Sequence, residues 1–436
     1  MFHGLGESMT NAVERYRHGL SPMRGRAQHE EHRAATPLEA LYDLVFAAAF
    51  GVAGVELAKG VYAGHGGAAV GAFAFAVAAI IWAWINFSWF ASAFDTDDWL
   101  FRVFTMVQMA GVIVLAIGLP TMFHSLENDG AFDNRVMVSG YIVMRVGLLA
   151  QWLRASRDPA YRRHALTYVL FVAVAQIGWI VVAWAPLPLG AAFAAAAACW
   201  LIELGGPIVA ERKGEGARRG TPWHAHHIAE RYSLLTIIAL GETVIGTLAA
   251  AQEVSQEKGW SGDAVVVIGA GIAMTFALWW SYTMMPSGPI LAVHRSRSFV
   301  WGYGHAFIFA SVAAVGAGLH TIGYAYRHEH PLATPVVILM IAVPVIVFMV
   351  SISLLHSYLV HSLMKGLPLH AIAMVLPLLG ILLAFAGSPL WACLLVVLAG
   401  PVLVVVAYEV GGWRLAQRHL DAALGRAVDG APERAA

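Results

Sequence analysis

Glu230-Arg231 opens an apolar run that continues through Leu234, Ile237, Ile238 and Leu240 to a second acid, Glu242. On a helix rising about 1.5 Å per residue, Glu242 stands roughly 18 Å beyond Glu230, near the midplane of a bilayer. A carboxylate at that depth is costly and reads as functional, through binding a proton or an ion, or through pairing with a cation. Arg145, midway along another apolar run, has the matching depth and is the expected counter-charge for Glu242. Glu203 is the competing carboxylate, placed nearer the cytoplasm. Asp43 and Glu39 lie four residues apart and so project from one helix face. With Glu230, Arg231 and Arg102 they suggest a mixed-charge entrance at one end of the helices. The plainer alternatives are a static salt bridge fixing helix packing, and acids placed favourably at helix amino termini. Glu56, ~20 Å from Asp43 by the same rise, stands at the far end of that helix.

The chain holds 19 histidines. His226 and His227 precede Glu230 by four and three residues, a helical spacing that sets imidazoles beside a carboxylate and suits a divalent metal. No HExxH pattern accompanies them, and solvated or acid-paired imidazoles are the simpler reading. No other cofactor is expected. His305 and His320 fit proton relays, since imidazole titrates near neutrality. Cys199 and Cys393 lie inside apolar runs, which argues against a disulfide framework or a cysteine zinc site.

These groups need elements to position them, and the composition says which. Hydrophobic residues make up 59% of the 436 and charged ones 12%, with a mean hydropathy of +0.67. That is too apolar for a soluble globule of this size and reads as an integral membrane protein. A formal net charge of zero excludes a nucleic-acid partner; the partners expected are the lipid bilayer and a small solute or ion. Crossing a hydrocarbon core of ~30 Å takes roughly 20 helical residues. Twelve windows qualify: 38–59, 67–93, 101–122, 134–154, 163–185, 187–209, 231–251, 263–284, 299–322, 333–356, 367–386 and 389–411. The expected fold is an all-α, polytopic bundle of about 12 transmembrane helices. Residues 1–36 hold neither an apolar core nor a cleavage pattern, so no cleaved signal is expected.

Lys and Arg set the expected orientation. Arg15, Arg17, Arg24, Arg26 and Arg33 precede the first window; alternate loops hold Arg154, Arg157, Arg162 and Arg163, then Arg212, Lys213, Arg218 and Arg219, then Arg295 and Arg297, then Lys365; Arg414, Arg418, Arg426 and Arg434 follow the last. The opposite set holds Lys59, Arg135, Lys258 and Arg327. Both termini should be cytoplasmic, in the inner membrane, with an even number of crossings. Tyr42 and Gly51 recur as Tyr232 and Gly241, 190 residues on, and Gly118-Leu119-Pro120-Thr121 recurs as Gly318-Leu319-His320-Thr321, 200 on. The echoes suggest two parallel six-helix halves, 37–210 and 230–412, joined by a cytoplasmic loop 211–229 and flanked by a basic tail 1–36 and a tail 413–436. Pro344, Pro377 and Pro401 sit mid-window and can kink their helices. Gly51, Gly54, Gly205, Gly206, Gly241 and Gly246 permit close helix approach.

Leu41-Tyr42-Asp43-Leu44-Val45-Phe46, Phe94-Asp95-Thr96-Asp97-Asp98 and His227-Ile228-Ala229-Glu230-Arg231 running to Ile238-Ala239-Leu240-Gly241-Glu242 resemble the bacterial low temperature requirement A protein family. The resemblance spans most of the chain. Ala40 and Ser233 depart from the family's usual residues, and neither alters an ionisable position. The resemblance implies a bacterial polytopic membrane protein of a family named for a cold-growth phenotype. Read physically, the buried charges suggest a proton- or ion-coupled secondary transporter with Glu242 as the protonatable centre and Arg145 as its counter-charge. Asp43, Glu230 and Arg231 would line the access. The alternatives are a membrane-embedded metal-dependent enzyme acting on lipid, using His226, His227 and Glu230, and a non-catalytic stress-related membrane protein. No nucleotide signature points to ATP-driven pumping.

Overall fold

A computed structural model describes residues 19–27, 30, 33–127, 132–213, 220–361 and 367–425. The chain is α-helical, and among the described residues there is no strand. The helices are α1 (Pro37–Tyr62), α2 (Gly66–Phe94), α3 (Trp99–Glu127), α4 (Arg135–Ala155), α5 (Arg162–Trp184), α6 (Leu189–Glu211), α7 (Ala225–Lys258), α8 (Gly262–Thr283), the short α9 (Ser287–Val293), α10 (Ser298–Ala325), α11 (Thr334–Val360), α12 (Leu367–Phe385), α13 (Leu390–Ala407) and α14 (Trp413–Ala423). Among the described residues, eleven helical stretches are long and apolar enough to cross a membrane; the stretch Ala371–Phe385 is apolar but shorter. The expected membrane bundle is therefore what the chain forms.

Local sequence explains the main boundaries. Thr36 accepts a hydrogen bond from the Glu39 amide at 3.2 Å while the Glu39 carboxylate accepts one from the Thr36 amide at 2.9 Å, a capping box ahead of Pro37 in the first turn of α1. Ser261 caps α8 through the Ala264 amide, and α7 stops at Gly259, whose φ of 64° favours glycine. The sequence places the second half's start at 230, but His224 caps α7 by accepting from the His227 amide, so the helix begins five residues earlier. His226 and His227 are thus helical residues.

Helix neighbours follow a similar order early and late in the chain. α1 packs on α2 and α3, α3 on α4, α4 on α5 and α5 on α6; α7 packs on α8 and α10, α10 on α11, α11 on α12 and α12 on α13. The echoed glycines occupy equivalent crossings. A Cβ on Gly118 would collide with the backbone of Val136 and Met137 in α4, and one on Gly318 with the carbonyl group of Met340 in α11. The α3–α4 crossing is built from backbone contacts, since Gly140 likewise lies against the backbone of Gly111 and Leu115. Gly140→Ala is expected to cost about 1–3 kcal/mol, because the neighbouring atoms are backbone and cannot rotate away. Unfolding in detergent checks this, and wild-type stability would contradict so close a crossing.

The described arginine-rich segments gather at one end. Gly25 donates to Asp158, Arg154 donates to the Ser21 carbonyl at 2.7 Å, Arg295 to the Trp223 carbonyl at 3.0 Å, and His294 contacts the Ala423 carbonyl at 2.7 Å. At the other end Lys59 pairs with Glu56 at 2.8 Å and Arg327 with Glu253. Ser21 and Ala423, near the two ends of the described chain, are thereby both held at the arginine-rich end. Arg15, Arg17, Arg218, Arg219, Lys365, Arg426 and Arg434 lie outside the described residues.

Candidate functional site

At the arginine-rich end, α1 and α7 lock together through a buried ionic cluster. Arg231 stands between two carboxylates, 2.7 Å from Glu39 and 2.5 Å from Asp43. The Glu39 contact is an ion pair without hydrogen-bond geometry, whereas Asp43 accepts true hydrogen bonds from Arg231 and from the Trp84 indole at 2.6 Å. His227 Nε2 lies 3.2 Å from Glu39 Oε2. About one turn of each helix thus places two acids of α1, at i and i+4, against an imidazole and a guanidinium of α7, at i and i+4 on their own helix. Beside Asp43, Tyr42 donates to Gln108 at 3.3 Å, and Gln108 to Gln151 at 2.8 Å, carrying the buried polar chain across α3 into α4.

A second cluster sits apart from the first. Glu203 of α6 accepts from Arg145 at 2.8 Å, from the Tyr141 hydroxyl at 2.5 Å, from Gln176 at 3.0 Å and from the Trp179 indole at 3.1 Å. Arg145 therefore pairs with Glu203, and the pairing with Glu242 expected from depth is not formed. The reason is azimuthal: α4 packs on α3 and α5, while Glu242 faces α1 and α10. Equal depth does not bring two helices together.

Glu242 has no hydrogen-bond or ion-pair partner among the described residues. It is half-buried where α1, α7 and α10 meet, and glycines make room for it. A Cβ on Gly51 would stand 2.7 Å from Glu242 Oε2, and one on Gly316 2.8 Å from the Glu242 carbonyl carbon. Arg231, Glu242 and Glu253 are each 11 residues apart, three helical turns, so they fall on one face of α7 about 16 Å from one another. Arg231 is held by Glu39 and Asp43, and Glu253 by Arg327. The middle group is the unpaired one.

The remaining expected site residues are scattered. Glu230 accepts from the Ala35 amide at 3.3 Å and lies outside the Arg231 cluster. His305 is buried between the Trp301 carbonyl, at 2.7 Å, and the Tyr282 hydroxyl, at 3.3 Å, far along the chain from the acids. His226 is exposed beside Gly288, and His227 faces Glu39 instead of Glu230. Among the described residues no three His, Cys, Asp or Glu side chains are placed to hold a metal. The expected His226–His227–Glu230 grouping does not form because His227 turns to Glu39, His226 is exposed and Glu230 is taken by the Ala35 amide.

The polar blocks Leu41–Phe46, Phe94–Asp98 and His227–Glu242 converge. Asp43 and Arg231 pair directly, while Asp95 lies 3.8 Å from Arg26 and Asp98 pairs with Arg154 beneath them. The family described as bacterial low temperature requirement A protein (LtrA) matches residues 34–408, which contain all three blocks. The chain belongs to this family. It is also similar to an uncharacterized protein of Rhizobium meliloti (strain 1021), 26% identical over 325 residues that cover 71% of this chain and 74% of the relative. No solved structure gives a significant match.

The segment before α1 straps this end of the bundle. Arg33 donates to the Ala91 carbonyl at 2.7 Å and also to that of Ser92, and burial, with the nearby Arg26 charge second, lowers its guanidinium to about 10. Burial opposes ionisation of Asp98, but hydrogen bonds from Arg154 and from the Phe101 amide outweigh it and hold the acid at about 2. Asp95 goes the other way: burial, and next the Glu39 charge, push it up to about 6 from 3.8. Between those two values only the folded state keeps the Asp95 proton, so this residue's contribution to stability falls as pH rises from about 4 to 6. The loss is at most about 3 kcal/mol, two pKa units' worth. Asp95→Asn is expected to flatten that part of the stability–pH curve, measured as thermal unfolding at pH 4.5 and 7.5; an unchanged difference between the two pH values would refute the assignment.

Glu39 is the partner of Arg231 that depth arguments undervalued, as an acid at a helix start. The Thr36-x-x-Glu39 spacing signals its capping role but carries nothing about Arg231. Gln108 and Gln151, two amides within apolar helices, are themselves a legible sign of a buried polar chain.

Proposed function

We propose that this member of the LtrA family is a secondary transporter in the bacterial cytoplasmic membrane, with its arginine-rich face inward, coupling movement of a small solute to binding of a proton or cation at Glu242. The observation that carries the reading is the unpaired carboxylate of Glu242, midway along a helix face whose other two ionisable groups are neutralised. A buried acid with a fixed counter-charge is structural by default; one without is free to exchange its charge without breaking an ion pair. Its setting supports the same reading. Gly51 and Gly316 leave no side chain between Glu242 and the neighbouring helices, so small relative shifts of α1, α7 and α10 would change what the carboxylate meets. The paired clusters on either side, Glu39–Arg231–Asp43 and Glu253–Arg327, lie along the same helix contacts and are suited to closing the two ends.

The test is pH-dye flux in proteoliposomes under an imposed potential, repeated across a panel of small cations, anions and metabolites. Wild type should move protons, and Glu242→Gln should reduce that movement at least tenfold while inserting and unfolding normally. Flux in Glu242→Gln equal to wild type at every pH would sink the proposal.

A further inference from the structure

We infer that the arginine-rich end holds a binding site for one anionic phospholipid, its headgroup in an aromatic chamber between the two halves and an acyl chain in the cleft that continues from it. The chamber has a volume of about 640 Å³, within the roughly 300–1,000 Å³ of small-molecule sites. Its walls come from α2, α4, α5, α6, α10 and the segment before α7, with Trp82, Trp89, Trp223, Tyr168, Phe299 and Tyr303 supplying most of the aromatic surface.

The mouth is cationic. Arg295 lies 3.7 Å over the Trp223 ring and spends one Nη on the Trp223 carbonyl, and neither it nor the exposed Arg212 has a carboxylate within ion-pair distance among the described residues. The one acid among the described lining residues, Glu211, has its hydrogen-bonding capacity taken by neutral donors: it accepts from the Tyr168 hydroxyl at 3.0 Å and from the Thr221 amide and hydroxyl at 2.8 and 2.7 Å. Two guanidinium groups thus face the chamber against the single charge of Glu211, leaving the described lining net cationic beside the hydroxyls of Ser296 and Ser298. Guanidinium recognises phosphate by paired hydrogen bonds.

The tail follows from the second cavity. A cleft of about 280 Å³ shares Trp82, Ile85 and Tyr303 with the chamber and continues along Ala78, Trp200 and Leu204, with an almost wholly apolar lining. It exists because α6 packs chiefly on α5, leaving its other side short of α2 and α10; the Tyr303 hydroxyl reaches across to the Leu204 carbonyl at 3.1 Å. A soluble anion would have no use for that branch, and a zwitterionic lipid would bring a cation toward two arginines. Basic pockets between membrane helices are known receptors for anionic headgroups.

The test uses full-length protein in mild detergent, with native mass spectrometry against phosphatidylglycerol, phosphatidylcholine of the same chains, and glycerophosphoglycerol, the headgroup without chains. One phosphatidylglycerol per protein should be retained, at least tenfold more tightly than phosphatidylcholine, and the bare headgroup should not be retained. Arg295→Gln should weaken phosphatidylglycerol at least tenfold. Ala306→Trp, which fills the cleft and leaves the arginines intact, should weaken it too, so the site is testable even if Arg295→Gln folds poorly. Equal retention of the two lipids would overturn the site, as would retention of the headgroup alone, or phosphatidylglycerol binding unchanged by Ala306→Trp.

Discussion

Arg231→Met is expected to lower the unfolding free energy by about 3–5 kcal/mol, the range for removing one partner of a buried ion pair. The size comes from what is left behind. Glu39 and Asp43 are both fully buried, and without Arg231 two carboxylates would face each other at i and i+4 on α1 with only the Trp84 indole, the Thr36 cap and His227 as hydrogen-bond donors. The cluster itself need not be a net source of stability, because desolvating three charges offsets much of their attraction. Neutralising all three together, Glu39→Gln with Asp43→Asn and Arg231→Met, should therefore recover most of the loss, and glutamine at 39 can keep the capping geometry. Denaturant unfolding in detergent measures both variants. A single variant within 1 kcal/mol of wild type would mean that the carboxylates are hydrated, and a triple variant as unstable as the single would mean that packing dominates.

What the sequence revealed and what it hid divide along a physical line. Properties that depend on one helix at a time were legible: the apolar windows, the mid-helix prolines at 344, 377 and 401, and the gathering of arginines at alternate helix ends. Small-residue echoes were legible too, because a glycine at a backbone crossing leaves a mark at its own position, as Gly118 and Gly318 do. Contacts between helices were not. Arg145 and Glu242 share a depth, but pairing also needs adjacent helices and facing azimuths, which no single helix encodes. Glu203 stands out in sequence as a competing carboxylate, but the Tyr141, Gln176 and Trp179 donors that fix it come from two other helices. The aromatic chamber is assembled from six segments, and the tryptophans of the second helix, Trp82 and Trp89, are only one of its walls.

That pairing is open to a direct thermodynamic test. Arg145→Met is expected to cost about 3–5 kcal/mol, since Glu203 would remain buried with three neutral donors and no counter-charge. In a Glu203→Gln background the same substitution should cost far less, because glutamine can still accept from Tyr141 and Trp179 while carrying no charge to strand. The coupling between positions 145 and 203 should therefore reach at least about 1–3 kcal/mol, whereas distant, independent sites add within about 0.3–0.5 kcal/mol. Combining Arg145→Met with Glu242→Gln should fall in the second class, since Arg145 spends its Nη2 on Tyr141 and Glu203 and Glu242 lies against Gly51. Coupling above 1 kcal/mol between 145 and 242 would restore the pairing that depth alone suggested, and would remove the unpaired state of Glu242 on which the transport proposal rests. Additivity there, with strong coupling to 203, would leave Glu242 as the acid whose charge the helix bundle does not fix.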